Sequence, residues 1–315
     1  WYYRNVWAMV WTQLAITAFG VAISYVIHPF RPRFAFNRTA FAQAFGYGKH
    51  LLLTGILTFF TTQFDKFAVG KYLGTSTLGA YLIAYRLATL PLELLGELSD
   101  QVLFSAYAKA RIDDPKTFRR LFLRALNGCV LLLVPAAIGM YAVAHEAVVW
   151  LYGSKWAPAV PMLEALVAVS LTRGISRAIS LGLQSYGRSG LDAAGKCVEA
   201  AVFVPSTVLL SQSFGAVGAA AAGALSYGVG ALVRSCFLLK LIPELRRDYL
   251  LSFANHTVIG ALAFAALLML RLHMHGAFAA LLVLPLYIAA VFMTNPSLRG
   301  YLHELASRSR ATVAP

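Results

Sequence analysis

The sequence predicts an all-α fold, a polytopic transmembrane helical bundle of about nine spans. Three observations predict it. Hydrophobic residues make up 59% of the 315 residues, against about 45–50% in ordinary soluble domains. Mean hydropathy is +0.67. Several apolar runs also approach the roughly 20 residues that a helix needs to cross a bilayer.

In chain order, the apolar runs are Val6 to His28, His50 to Val69, Leu78 to Leu103, Leu121 to Ala144 and Ala159 to Tyr186. They continue with Leu191 to Leu210, Val217 to Leu241, Phe253 to Leu270 and Ala277 to Met293. Connections are short and no soluble domain is inserted. The stretch from Pro29 to Gly48 ends in a predicted amphipathic interfacial helix. The RIDDPKTFRR stretch at 111–120 is predicted as a polar surface connection. The connection around HEAVVWLYGSKWAP carries Trp150, Tyr152 and Trp156, which suit the headgroup level. Its Pro158 and Pro161 suit the start of the next helix. Pro91, Pro135 and Pro205 fall inside spans, where proline kinks a helix or frees a carbonyl. The seventh span, FGAVGAAAAGALSYGVGAL, is crowded with small residues and allows close helix packing. The chain opens on Trp1 without a signal-peptide pattern, which is expected of a chain starting inside a longer protein.

The net charge of +14 is mostly topology. Basic residues crowd alternate connections: Arg31, Arg33, Arg38 and Lys49, then Lys109, Arg111, Lys116, Arg119, Arg120 and Arg124. The same side takes Arg188, Lys196, Arg234, Lys240, Arg246 and Arg247, and the tail's Arg299, Arg308 and Arg310. The opposite side has Arg4, Lys71, Lys155 and Arg271. This positive-inside bias places the N-terminus outside and the C-terminus in the cytoplasm, and it argues against nucleic acid as a partner. Cys129, Cys197 and Cys236 sit in apolar segments without metal spacing or a disulfide partner. No Gly-rich phosphate loop, zinc spacing or grouped triad marks an enzyme, and neither a cofactor nor a metal is expected.

The informative anomaly is Gln63 to Gln101, where charges interrupt membrane-like sequence. A charge at helix-centre depth costs about 2.5–3.5 kcal/mol on insertion scales, so such residues face a bundle interior or a wet cavity. Arg86, Thr89, Glu93, Glu97 and Asp100 project within roughly ±60° of one another on the third span, with Tyr81 and Tyr85 extending the polar surface. The stripe lines a water-filled path, or it forms buried salt bridges that hold the bundle. The fifth span carries a matching stripe of Ser170, Arg173, Arg177, Ser180 and Gln184. Arg173 and Arg177 either clamp an anionic group with their planar forks or neutralise the third span's acids. Asp65 and Lys66 are sequence neighbours, so one is expected to face the cavity while the other snorkels outward. Asp192, Lys196 and Glu199 share a face of the sixth span and are expected to be gate or solvated-end charges.

The stretches Phe64-Asp65-Lys66-Phe67-Ala68-Val69-Gly70-Lys71-Tyr72-Leu73-Gly74, Leu78-Gly79-Ala80-Tyr81 and Ala84-Tyr85-Arg86-Leu87 open a recognisable pattern. With Trp150 to Pro161 and Leu183-Gln184-Ser185-Tyr186-Gly187-Arg188, it resembles the Wzx-type oligosaccharide flippases, polysaccharide exporters of the multidrug/oligosaccharidyl-lipid/polysaccharide superfamily. The resemblance covers much of Phe34 to Leu241. It implies two six-helix lobes followed by two extra helices. Residues 1–48 would be the last helix of the N-terminal lobe plus a cytoplasmic linker, 49–243 a complete C-terminal lobe, and 244–315 the extra pair with a basic tail; the preceding helices of the N-terminal lobe would be missing.

The implied activity is movement of an undecaprenyl-diphosphate-linked oligosaccharide across the bacterial inner membrane by alternating access, without covalent chemistry. Glycan polymerases and glycosyltransferases of the same pathway would be the protein partners. Placement in the seam, and not the matched motif, then suggests roles. Arg86, Arg173 and Arg177 would meet the diphosphate, and Tyr81, Tyr85 and Gln184 the sugars. Asp65, Glu93, Glu97 and Asp100 would carry a coupling ion or gate the path. The alternatives are a drug/cation antiporter, which needs a compact acid-dominated site, and a membrane glycan polymerase or ligase, for which no sizeable external loop is present.

Overall fold

A computed structural model describes residues 6–27, 37–273 and 275–294, all of their regular structure helical. The chain forms two compact units, Trp1–Gly46 and Tyr47–Pro315. The first holds α1 (Val6–Ile27) and the opening of α2 (Arg38–Leu73). Asn37 accepts the Thr39 amide at 3.0 Å as an N-terminal cap. The expected interfacial helix is therefore the first turns of α2 itself, because nothing between Arg38 and Lys49 breaks the helix; Gly46 and Gly48 are tolerated within it.

The second unit continues with α3 (Thr75–Asp113), α4 (Pro115–Ala142), the short α5 (Ala144–Tyr152), a 3₁₀ turn (Ser154–Ala159) and α6 (Val160–Ser185). It ends with α7 (Ser189–Leu241), α8 (Arg246–Arg271) and α9 (Gly276–Thr294). The polar connection expected at 111–120 shrinks to one residue. Asp114 accepts from the Lys116 amide at 3.0 Å and from the Thr117 amide at 3.2 Å, with Pro115 opening α4. An acid at the cap followed by proline at the first helical position is a stop-and-start signal in two residues. The three internal prolines sit within continuous helix.

The real break lies in α7, at Gly215, with φ 63° and ψ −146°. Only glycine adopts this without strain. It folds α7 into two limbs, 189–214 and 216–241. The turn is tight: a Cβ on Gly218 would lie 1.9 Å from the Leu210 carbonyl oxygen.

Among the described residues, six helices are long and apolar enough to cross a membrane, with α7 counted once. The expected nine spans are not confirmed by that measure: α2 and α3, which carry the charged seam, fall short of it, and α7 combines two of the expected runs.

The core sits around α6, which packs on α3, α4 and α7. One apolar cluster joins Val69, Tyr81, Leu166 and Ala220 beneath α5 and Trp156. A second joins α4, α8 and α9 through Val134, Leu267 and Val283. A third stacks Tyr107, Phe118, Phe122 and Leu183 at the α3–α4 end. Between apolar helices in lipid, close packing replaces the hydrophobic effect as the cohesive term. Small residues supply it here: Gly223 on the second limb of α7 lies against Val169, and Gly174 and Gly182 on α6 leave room for Leu133 and Phe122.

Two outcomes test this architecture. Gly218→Ala forces its methyl against backbone and lowers stability by about 1–3 kcal/mol, read from denaturation of the purified protein in micelles. The Lys116 amide and the Thr117 groups hold the Asp114 carboxyl below the usual range. Its capping contribution is thus complete above the ordinary aspartate range and disappears as pH falls through the depressed value. The stability advantage of the wild type over Asp114→Asn should vanish in that acidic window; an advantage independent of pH would refute the cap.

Candidate functional site

Two polar clusters occupy the interior of the second unit, joined by α6 and α7. In the first, α2 and α3 face each other across Asp65 and Tyr81. The Tyr81 hydroxyl donates to Asp65 Oδ2 at 2.9 Å, and the Lys66 amide donates to Oδ1 at 2.9 Å. Both residues are buried. The Lys66 ammonium lies 3.9 Å from the centre of the Tyr85 ring and donates to the Thr62 carbonyl. The expectation that one of Asp65 and Lys66 faces inward while the other snorkels outward is therefore corrected. Although neighbours in sequence, the two side chains straddle the face of α2 that meets α3, one against each tyrosine.

Tyr85 is shared. Its hydroxyl accepts from Arg173 Nη1 of α6 at 2.8 Å, so two cations from different helices converge on one phenol ring. Tyr227 of α7 closes this side by donating to the Thr61 carbonyl at 3.3 Å. Ser170 anchors α6 to α3 by donating to the Ala88 carbonyl at 2.7 Å.

The second cluster is built on Arg234, which is 2% exposed. Its Nη2 meets Glu199 Oε2 at 2.9 Å, and its Nη1 donates to Ser176 Oγ at 2.6 Å. Its Nε lies 3.0 Å from Asp192 Oδ1, an ion contact whose angle does not make a hydrogen bond. Glu199 also binds Lys196, and Gln184 donates to Asp192 Oδ2 at 2.8 Å. Two acids and two bases thus neutralise one another among polar partners, the condition for burying charge in a low-dielectric interior. Glycines make the space. A Cβ on Gly195 would lie 2.5 Å from Arg234 Cγ, and one on Gly230 would lie 2.6 Å from Glu199 Oε2.

The solvated-end reading of Asp192, Lys196 and Glu199 is accordingly overturned, since all three are buried. Lys196 and Arg234 also leave the set of loop cations, because they serve buried acids. Sequence reasoning missed Arg234 and Tyr227 as members of the interior. The available signal was a glycine next to, or one turn before, a charge in small-residue helices: Gly195–Lys196 and Gly230…Arg234.

The two predicted stripes do not meet as drawn. Arg86, Glu93 and Arg177 are exposed, while Thr89 and Ser170 are buried and Arg173 is half-buried. The α3 surface that reaches α6 is rotated toward Tyr81 and Tyr85, one position from Arg86. The side chains of Glu97 and Asp100 lie outside the described residues. Gln184 is engaged with Ser180 and Asp192. Among the described residues no carboxylate forms an ion pair with Arg173, and no group of three His, Cys, Asp or Glu side chains is arranged to hold a metal.

Long apolar helices packed around ion-paired polar side chains define a multi-pass α-helical membrane protein. The chain belongs to the family described as polysaccharide biosynthesis protein, which matches residues 1–161. It is 26% identical over 224 residues to the lipopolysaccharide biosynthesis protein WzxC of Escherichia coli K12, covering 71% of this chain and 45% of that one. It is 31% identical over 175 residues to the succinoglycan biosynthesis transport protein ExoT of Rhizobium meliloti, covering 54% and 34%. The fold is similar to that of the lipid II flippase MurJ in an inward closed conformation, with a TM-score of 0.66 at 16% identity over 87% of this chain and 59% of that one. The chain thus spans between about a third and a half of the length of these curated relatives.

Breaking the buried pair singly, by Arg234→Met or Glu199→Gln, should cost about 3–5 kcal/mol, because each leaves a charge without its partner. The double variant should cost less than the sum, by roughly 0.5–3 kcal/mol. Additive losses in micelle denaturation would show that the two groups do not interact.

Proposed function

We propose that this chain is the C-terminal portion of a flippase that carries a lipid-linked oligosaccharide across the bacterial inner membrane. On this reading, residues 49–243 form one transport lobe, residues 1–48 bring the last helix and linker of the other lobe, and residues 244–315 add two helices and a tail. No covalent step is needed. The sugar and phosphate of such a lipid are prohibitively polar for hydrocarbon, and a polar seam between lobes substitutes for their water. Rocking of the lobes would expose the seam to each side in turn.

The observation that carries this reading is Arg173. It is half-buried, oriented by Tyr85 at 2.8 Å, and forms no ion pair with a described acid, whereas the cations of the neighbouring cluster are neutralised. A guanidinium held by a neutral phenol keeps donors for an anion, and its fork suits phosphate oxygens. Lys66 on the other flank of Tyr85 adds a second positive charge. A drug/cation antiporter would reverse this arrangement, placing the acid toward the substrate; Asp65 instead lies buried against Tyr81. Arg86 and Arg177, on exposed faces, remain in the proposal as outer contacts of the diphosphate; Tyr81 and Gln184, held to Asp65 and Asp192, would meet the sugars only on releasing those partners. Asp65 and Glu93, with Glu97 and Asp100, keep the proposed coupling or gating role.

The test is translocation of fluorescent lipid-linked oligosaccharide by the full-length protein in proteoliposomes. Losing a charge-assisted contact worth about 1.5–3 kcal/mol should make Arg173→Gln slower by roughly one to two orders of magnitude. Tyr85→Phe, which keeps the charge and removes its orienting oxygen, should fall between that variant and wild type. Wild-type rates for Arg173→Gln would remove Arg173 from the site. Orientation is tested separately: an impermeant thiol reagent applied from the periplasmic side should label a cysteine at Ser154 and leave one at Asp114 unlabelled, if the C-terminus is cytoplasmic.

A further inference from the structure

The polar clusters occupy one face of α6. The opposite face borders a cavity of about 370 Å³ enclosed by α4, α6 and α8, and the proposal above makes no use of it. At 100° per residue, Ala168, Leu171 and Ile175 point roughly 140–160° away from Arg173. The helix body, about 10 Å across with its side chains, therefore separates this cavity from the seam.

The cavity is a groove cut by small residues. Ala137, Ala168, Gly260 and Ala261 bring the three helices together without filling the space between them, while Val134 and Phe264 wall it. Ala168 and Ala261 are exposed, so the groove opens toward the surrounding hydrocarbon. Along α8 it runs from Ser252 to Phe264, about 18 Å at 1.5 Å per residue. Its inner end is closed chemically, because Ser252 and Asn127 bond to each other. Its other end carries charge. Glu164 and Tyr141 line the rim, and Arg271, from the end of α8, reaches over both. Nη1 of Arg271 lies 3.1 Å from Glu164 Oε1, and its Cζ is 4.9 Å from the Tyr141 ring centre. A guanidinium has five donors, and this pair engages Nη1. Arg271 is only partly covered.

An apolar slot of this length, open to lipid and topped by an arginine at the helix ends, suits a two-part ligand with a hydrocarbon chain and a phosphate. The geometry points to a resident bilayer phospholipid, with one acyl chain laid between α4, α6 and α8 and its phosphate on Arg271. Because α6 stands between the groove and Arg173, this lipid is distinct from the transported one. Its role is to fill the seam where α8 joins the lobe, and by binding the folded state it stabilises that state by mass action.

The test is native mass spectrometry of the full-length protein purified from its membranes in mild detergent. A glycerophospholipid should be retained by the wild type. Ala168→Trp, which fills the groove from its open side, should lose it, and Arg271→Gln should retain less. Delipidation should lower the melting temperature of the wild type, and added phosphatidylglycerol should restore it, with no restoration in Ala168→Trp. Photocrosslinking of the wild type with a phospholipid bearing a diazirine in its acyl chain provides a readout that needs no variant. Adducts should concentrate on the groove residues of α4, α6 and α8 over the exposed Leu209, Leu232 and Leu286. No retained lipid, equal retention by Ala168→Trp, or adducts spread evenly over exposed apolar residues would each overturn the proposal. Retention of an isoprenoid phosphate in place of a glycerophospholipid would overturn it too, by assigning the groove to the transported species.

Discussion

A buried charge in a membrane protein must bring its own partners, and the Arg234 cluster is where that constraint shapes the bundle. One guanidinium reaches Asp192 and Glu199 on the opposite limb of its own helix and Ser176 on α6. To do so the two limbs of α7 must lie side by side, which requires the reversal at Gly215. They must also approach closely, which requires Gly195 and Gly230 beneath the charged groups. The alanine- and glycine-rich composition of α7 and its buried ions are thus parts of one solution. Ionic partners and close backbone packing supply the cohesion that water would otherwise provide by excluding apolar surface.

Around this fixed point α6 acts as a partition. Its polar face carries Ser170, Arg173, Ser176 and Gln184 toward α3 and α7. Its apolar face, through Val167 and Leu171, meets α4 and the space before α8. The separation gives the two faces different surroundings. Charges on the polar face are held by protein groups in fixed positions, while the other face borders a mostly apolar space whose polar groups, Asn127, Ser252, His256 and Thr257, come from α4 and α8, with the Glu164–Arg271 pair at its end.

The two polar clusters differ in a way that bears on function. Around Arg234, acids and bases balance. Around Tyr85, Lys66 and Arg173 converge on a neutral ring, and the nearby acid, Asp65, is engaged by Tyr81 and by a backbone amide. A balanced cluster has nothing to gain from a further ligand, and its rigidity costs no binding energy. An arginine oriented by a phenol has its geometry set before an anion arrives, which reduces the entropic cost of binding. On the proposed reading, stability and recognition fall to different sets of charges.

The helical membrane class was legible from composition and from apolar runs, because a bilayer imposes length and hydropathy on each segment independently of its neighbours. Tyr81, Tyr85 and Arg173 were legible as members of a polar seam because polar groups at that depth avoid lipid. The partners were not legible. Periodicity gives the angle of a side chain about its own axis and says nothing of how neighbouring helices are rotated. That rotation brought Tyr85, one position from Arg86, against Arg173, and left Arg86, Glu93 and Arg177 on exposed faces. Nor did charge alone tell a loop cation from a buried one: Arg234 and Lys196 read as topological markers until the hairpin at Gly215 carried them against Asp192 and Glu199. Local chemistry decided that polar groups within apolar runs need partners. Only the packing of helices distant in sequence decided which of them neutralise one another, because pairing depends on approach distances that no single segment encodes.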